Sequence, residues 1–118
     1  MILIIGDYLG ESGRSKMEIS EAQKKVEEII LHYGDYWEPL SMMASVSEEV
    51  GELARAMNIK YGGKKSKGEE DGREIEEEMA DILVSVLAIA NVEKIDMGKA
   101  LNRKIEKDYE KMKGVYVK

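Results

Sequence analysis

Apolar residues recur every three or four positions along most of this chain, and this spacing predicts a series of helices. The first predicted helix follows Ser20-Glu21-Ala22-Gln23, which has the form of a capping box, and its apolar positions run up to Gly34. The second begins at Pro39, because proline suits the first helical position, and ends at Gly62-Gly63. Its apolar face keeps alternating spacings of three and four: Leu40, Met43, Ser47, Val50, Ala54 and Met57.

The second half of the chain predicts two more helices after a charged, glycine-bounded loop. The loop is "GGKKSKGEEDG", residues 62–72. A third helix is predicted over about 73–92, and Asp96 is the predicted cap of a fourth over about 97–113, with Gly114 as its stop. The chain is therefore predicted to be all-α.

The third predicted helix indicates that the chain forms an oligomer. From Ile82 to Ala90 every residue is apolar except Ser85, and a helix that is apolar all round must be covered on most sides. Four short helices in a chain of 118 residues supply little cover. We therefore predict a four-helix bundle that is completed by forming a homodimer or homotetramer.

Length and composition indicate one domain and exclude several classes of function. The 118 residues suffice for one modest core, which we assign to 20–113, with an N-terminal arm (1–19) and a C-terminal tail (114–118) that the pattern leaves as short strands or loose segments. A net charge of −6 argues against nucleic-acid or anionic-membrane binding. The absence of cysteine excludes disulfides, thiolate zinc sites and cysteine nucleophiles. The opening "MILII" is too short for a signal peptide or a membrane span, so a cytoplasmic location is expected.

Carboxylates occur in pairs three residues apart on the second and third predicted helices. Glu49 and Glu52 form one pair, and Glu78 and Asp81 form the other. Like charges at this spacing destabilise a helix by only ~0.2–0.5 kcal/mol per pair. However, two antiparallel helices can bring all four acids to one point, where a cation is required to offset their repulsion. Hard divalent cations with all-oxygen shells, Mg²⁺ above all, fit this set.

Two other interpretations of the acids are available. Each acid by itself is typical of the solvated face of an acidic helix, but each pair ends beside apolar core positions, which favours a site. A di-iron bundle needs Glu-x-x-His on two helices. The only histidine, His32, follows Ile29 at that spacing, so the di-iron interpretation fails.

Three segments together resemble one enzyme family. They are "EEVGELARA" (48–56), "EEEMADILVSVLAIANVEKIDMGKAL" (76–101) and "NRKIEKDYEK" (102–111). In order and spacing they resemble the MazG-like nucleoside triphosphate pyrophosphohydrolases of the all-α NTP pyrophosphatase superfamily. The resemblance covers about residues 37–111, and residues 1–19 resemble no family that we can name.

The resemblance implies hydrolysis of an NTP or dNTP to the monophosphate and pyrophosphate. It places Glu49, Glu52, Glu78 and Asp81 at the positions of the magnesium ligands, with Mn²⁺ as an alternative ion. Glu48 is the surplus acid beside the cluster, and we assign it as the base or water-orienting group, a role that Glu74 or Glu77 could also fill.

Basic and aromatic residues provide candidates for substrate contacts. Lys60 and Lys104 fall at lysine positions of the resembling proteins, and the loop lysines of 64–67 could also meet phosphates. Asp108 stands where relatives often have Asn, which alters the expected sugar or phosphate contact. Trp37 is the candidate for stacking on the base, worth ~1–3 kcal/mol, whereas Tyr33 is expected to plug the end of the core.

The expected role is hydrolysis of non-standard or surplus nucleotides. Two alternatives remain open: a phosphoribosyl-ATP pyrophosphohydrolase of histidine synthesis, which resembles this family in fold and acid motif, and a non-catalytic helical nucleotide-binding or regulatory module.

Overall fold

Four α-helices make up the part of the chain that the structure describes. The computed structural model describes residues 16–63 and 74–114, and within these ranges the helices are α1 (Ile19–His32), α2 (Pro39–Lys60), α3 (Glu74–Glu93) and α4 (Met97–Met112), with no strand. The all-α prediction is therefore confirmed. The predictions for residues 1–15, for most of the charged loop and for the tail "VYVK" lie outside the described residues. None of the four helices is long and apolar enough to cross a membrane.

Most helix ends lie where the local sequence predicts them. Pro39 is the first residue of α2, and Gly62, just past its end, has φ +88°. At the start of α4 the Asp96 side chain accepts a hydrogen bond from the Lys99 backbone N–H at 3.1 Å. Gly114, beyond the end of α4, also has φ +88°, a left-handed conformation that glycine adopts without a steric penalty.

The capping box predicted at Ser20 is wrong. Helix α1 begins at Ile19, and Glu18 is its N-cap, without a side-chain capping bond. Ser20 therefore lies inside the first turn, and Gln23 is not at the position from which it could complete a capping box.

Gln23 instead fastens α1 to the turn between α3 and α4. Its Nε2 donates to Asn91 Oδ1 and to the Ile95 carbonyl oxygen, both at 3.0 Å. Its Oε1 accepts from the Met97 backbone N–H at 3.0 Å, and the Asn91 amide donates back to the Gln23 carbonyl oxygen at 3.0 Å. Gln23, which the sequence assigns to the capping of a helix end, therefore makes a tertiary contact instead.

The core lies between α1, α2 and α3. Helices α2 and α3 make the most extensive contact of any pair. They run antiparallel, because Glu49 of α2 bonds Ser85 whereas Glu52, further along α2, bonds the earlier residue Glu78. The buried centre is Val26, Met42 and Ala88, with Ile30, Tyr36, Leu87, Ile89 and Val92 packed around it. Helix α4 contacts α1, and none of its residues is buried.

The apolar face predicted for α2 is not the face that packs in the core. Leu40 is 84 % exposed and Val50 is 48 % exposed, and the whole set of alternating positions is exposed. The buried residues of α2 are Met42, Val46 and Ala56. Helix α2 therefore carries two apolar faces, and the one with the more regular spacing is exposed in the described part of the chain.

Candidate active site

The antiparallel pairing of α2 and α3 brings the two pairs of acids together. Glu78 shows this most clearly, because its pKa is raised above the usual 4.5 by several neighbours. Burial is the largest cause, followed by the charge of Glu52 and a hydrogen bond with Glu52; the charges of Asp81 and Glu49 raise the pKa of Glu78 further. The other three acids predicted to meet therefore all act on Glu78.

One oxygen of this cluster lacks a partner. Glu78 Oε1 is buried and accepts no hydrogen bond, although leaving a buried acceptor unsatisfied is costly. A cation is one kind of group that would satisfy it. Nevertheless, within 16–63 and 74–114 no three of the His, Asp and Glu side chains are arranged as a metal-binding shell. The acids are neighbours that would have to close around an ion.

Ser85 lies on α3 one turn beyond Asp81, and it bonds an acid of this cluster. Its hydroxyl donates to Glu49 Oε1 at 2.7 Å across the α2–α3 interface, in a partly buried position. The sequence by itself marks Ser85 only as the one polar residue of an apolar segment. Its bond to Glu49 required the tertiary structure.

A cavity of about 420 Å³ opens beside the cluster. It is lined by Ile29, Ile30, Tyr33, Asp35, Tyr36, Trp37, Met42, Ser45, Val84, Ser85 and Ala88. Ser85 belongs both to this wall and to the hydrogen bond with Glu49, so the cavity and the carboxylates are contiguous. Its aromatic and aliphatic lining with a few polar groups is typical of a small-molecule pocket.

Trp37 lies in this cavity, and so does Tyr33. Trp37 is 64 % exposed, so its ring face is accessible. The expectation that Tyr33 plugs the core is wrong, because Tyr33 is 83 % exposed and meets His32 edge to face, with ring centroids 4.8 Å apart. The reason is that Tyr33 follows the last residue of α1 and is beyond the helix's buried face.

Tyr36 forms a fixed wall of the cavity. Its hydroxyl donates to Glu27 Oε1 at 2.8 Å and accepts from Asn91 Nδ2 at 3.1 Å. Burial and then the hydrogen bond to Glu27 raise the pKa of Tyr36. Because Asn91 is also bonded to Gln23, the network connects this wall to the α3–α4 turn.

The other predicted site residues have contacts of their own or are exposed. The Lys60 ammonium lies 5.5 Å from the centroid of the Tyr61 ring, and Lys104 pairs with Asp108 at 2.9 Å on the exposed surface of α4. Glu48 is exposed. The loop lysines lie outside the described residues. The roles assigned to these side chains stay predictions.

Comparison with known proteins agrees with this architecture. Residues 37–116 match the sequence profile of the MazG nucleotide pyrophosphohydrolase domain. The uncharacterized protein YpjD of Bacillus subtilis is 37 % identical over 94 residues, which span 79 % of this chain and 85 % of YpjD.

Two crystal structures resemble the fold. That of Bacillus subtilis YpjD superposes with a TM-score of 0.71 at 37 % identity, covering 80 % of this chain and 97 % of that one. That of a Bacillus-conserved MazG protein, a nucleotide pyrophosphohydrolase, gives 0.67 at 36 % identity, covering 80 % and 92 %. The sequence profile and the two structures together show that the chain belongs to the MazG nucleotide pyrophosphohydrolase family.

Proposed function

We propose that this protein hydrolyses a nucleoside or deoxynucleoside triphosphate to the monophosphate and pyrophosphate, with Mg²⁺ as cofactor and Mn²⁺ as a competent substitute. The observation that carries the proposal is the meeting of four carboxylates, one with an unpartnered buried oxygen, beside an aromatic cavity. Removal of non-standard or surplus nucleotides in the cytoplasm is the role that we assign to this activity.

Glu49, Glu52, Glu78 and Asp81 are the proposed metal ligands. Their donors are all oxygen, which suits a hard divalent cation, and Glu78 Oε1 is an acceptor that a cation would satisfy. When bound, such ions neutralise triphosphate charge and supply a water of lowered pKa. Before binding, burial and then the charges of the neighbouring acids raise the pKa of Glu78.

The remaining roles rest on the position of Trp37 in the cavity and, for the other residues, on the sequence. Trp37 is proposed to stack on the base, because it borders the cavity next to the acids. Glu48, adjacent to the cluster in sequence, is proposed to take the proton of the attacking water. Lys60, Lys104 and Asp108 are proposed to contact phosphate or sugar. For Lys104 this requires release from its pairing with Asp108.

We also propose that the active form is a homodimer or homotetramer. The uncovered face of α2 repeats at the three-four spacing of a helix–helix seam. On α3, Leu83 is 64 % exposed and Val84 is 49 % exposed. Light scattering at micromolar concentration should give two or four times the single-chain mass, and Leu83→Lys should dissociate or misfold the protein. A wild-type mass of one chain contradicts the proposal.

The test of activity is a screen for pyrophosphate release from every NTP and dNTP, and from phosphoribosyl-ATP, with and without Mg²⁺. Activity on phosphoribosyl-ATP alone favours the histidine-pathway alternative. Binding without turnover of any substrate favours a non-catalytic module.

Variants then connect the activity to the acids. Because shared ligands act as a unit, Glu52→Gln or Asp81→Asn alone should abolish nearly all turnover, and the double variant should lose little more. The exposed Glu76 of α3 provides the control, and Glu76→Gln should stay active. Full activity in Asp81→Asn is the result that refutes the proposed site.

A further inference from the structure

Ser85 is the one polar side chain between Ile82 and Ala90. Its hydroxyl has a potential partner within its own helix. A serine within a helix can bond the carbonyl oxygen four residues earlier. Here the hydroxyl donates across the interface to Glu49 Oε1 at 2.7 Å, within the range of short hydrogen bonds to a charged acceptor. This contact is a specific link between α3 and an acid of α2.

The position of Ser85 places this link at the boundary of two parts of the site. It follows Asp81 by four residues and Glu78 by seven, so it continues the face of α3 that carries these acids. It also lines the aromatic cavity. The hydroxyl therefore lies between the carboxylate cluster and the proposed base pocket.

We propose that Ser85 is a positioning residue that restricts Glu49 to one metal-binding oxygen and thereby selects Mg²⁺ over Ca²⁺. The inference rests on the proposed function, because it assumes that the cluster binds a divalent cation. With Oε1 held by the serine hydroxyl, Oε2 is the oxygen available to an ion. A carboxylate that chelates an ion through both oxygens would have to share Oε1 between the ion and the serine hydroxyl, which weakens both contacts.

The two ions differ in how they use carboxylates. Mg²⁺ demands an octahedron of six single oxygens at about 2.0–2.1 Å, whereas Ca²⁺ accepts 6–8 oxygens and often takes both atoms of one carboxylate. Holding Glu49 Oε1 therefore favours the smaller ion. Partners of this kind, which orient a ligand without touching the metal, typically change metal affinity by about 10–100-fold when removed.

The experiment is calorimetric titration of the purified chain with MgCl₂ and, separately, with CaCl₂, without nucleotide. Ser85→Ala removes the hydroxyl and leaves a better helix former, so circular dichroism should show an intact fold. We expect Mg²⁺ affinity to fall about 10–100-fold and Ca²⁺ affinity to fall less, so that the preference for Mg²⁺ shrinks. Ser85→Thr keeps a hydroxyl and should restore most of the preference.

Ser45→Ala is the matched control, because it removes a hydroxyl from the same cavity wall; both affinities should stay at the wild-type values. If wild type binds Mg²⁺ and Ser85→Ala leaves the ratio of Mg²⁺ to Ca²⁺ affinity unchanged, the inference is wrong while the proposed function stands. A wild-type chain that binds neither Mg²⁺ nor Mn²⁺ overturns the proposed metal site and the inference with it. Equal losses in Ser45→Ala and Ser85→Ala assign the effect to the cavity wall and also overturn the inference.

Discussion

Replacing Glu78 by Gln should stabilise the metal-free protein and remove its response to metal. Glu78 is held among Glu52, Asp81 and Glu49, with a buried oxygen that has no partner. Glutamine keeps the size, removes the charge and offers an amide N–H to the neighbouring carboxylates. The penalty relieved is that of a buried acceptor left unsatisfied, about 1–3 kcal/mol.

The expected change in melting temperature follows from chain length. Unfolding entropy is about 2.1 cal/mol/K per residue, so in 118 residues 1 kcal/mol corresponds to about 4 °C. Glu78→Gln should therefore raise the metal-free Tm by about 4–12 °C. In contrast, wild type should gain ~2.7 kcal/mol at a hundredfold excess of Mg²⁺ over Kd, and the variant should gain almost nothing.

The pH dependence provides a second measurement, and its sign follows from the raised pKa of Glu78. At a pH below the usual pKa of 4.5, Glu78 is protonated in both the folded and the unfolded state. Its raised pKa then has no effect on the free energy of unfolding. As pH rises through 4.5 the unfolded chain loses this proton first, so the free energy of unfolding decreases until pH exceeds the pKa of the folded state. The stability difference between Glu78→Gln and wild type should therefore grow across this window and then level off.

Thermal melts at fixed protein concentration, with EDTA or with millimolar Mg²⁺, test both effects. Glu76→Gln makes the same chemical change on the exposed side of α3 and should shift Tm little in either buffer. A metal-free Glu78→Gln that melts at or below wild type, or that matches Glu76→Gln, shows that the cluster is not strained as inferred.

Three further predictions concern the cavity and the α3–α4 turn. Trp37 is the only tryptophan, so its fluorescence should change when a nucleoside monophosphate binds, and Trp37→Ala should raise KM about 5–150-fold with a smaller change in kcat; an unchanged KM contradicts stacking. Lys94 has φ +60°, so Lys94→Gly should raise the free energy of unfolding by up to about 1 kcal/mol in urea melts, and a loss of stability contradicts this. Asn91→Ala leaves Gln23 and Tyr36 without their amide partner and should lower stability by about 1–3 kcal/mol; a neutral result in the same melts indicates that the network contributes little.

Local sequence determined the helices and most of their ends. Pro39 starts α2, Asp96 caps α4 with its own side chain, and Gly62 and Gly114 adopt positive φ just past two helix ends. Each of these features depends on the backbone of a few neighbouring residues, so it can be predicted from the sequence. The spacing of the acid pairs is also local, since residues three apart on a helix share a face.

Tertiary structure decided which faces and side chains meet. Periodicity gives the angular position of apolar residues on α2 but not the partner, so it could not show that Met42 and Val46 are buried while Leu40 and Val50 are exposed. The same limit explains why the capping box predicted at the start of α1 is wrong. Gln23 has the form of a capping-box residue, yet its partners are 68 or more residues away.

The link between Ser85 and Glu49 is of the same kind. The sequence showed a lone serine in an apolar segment and an acid in another helix, separated by 36 positions. Only the antiparallel packing of α2 against α3 brings the two within 2.7 Å. A hydrogen bond between side chains depends on the relative position of two helices, which the spacing of residues within each helix does not contain.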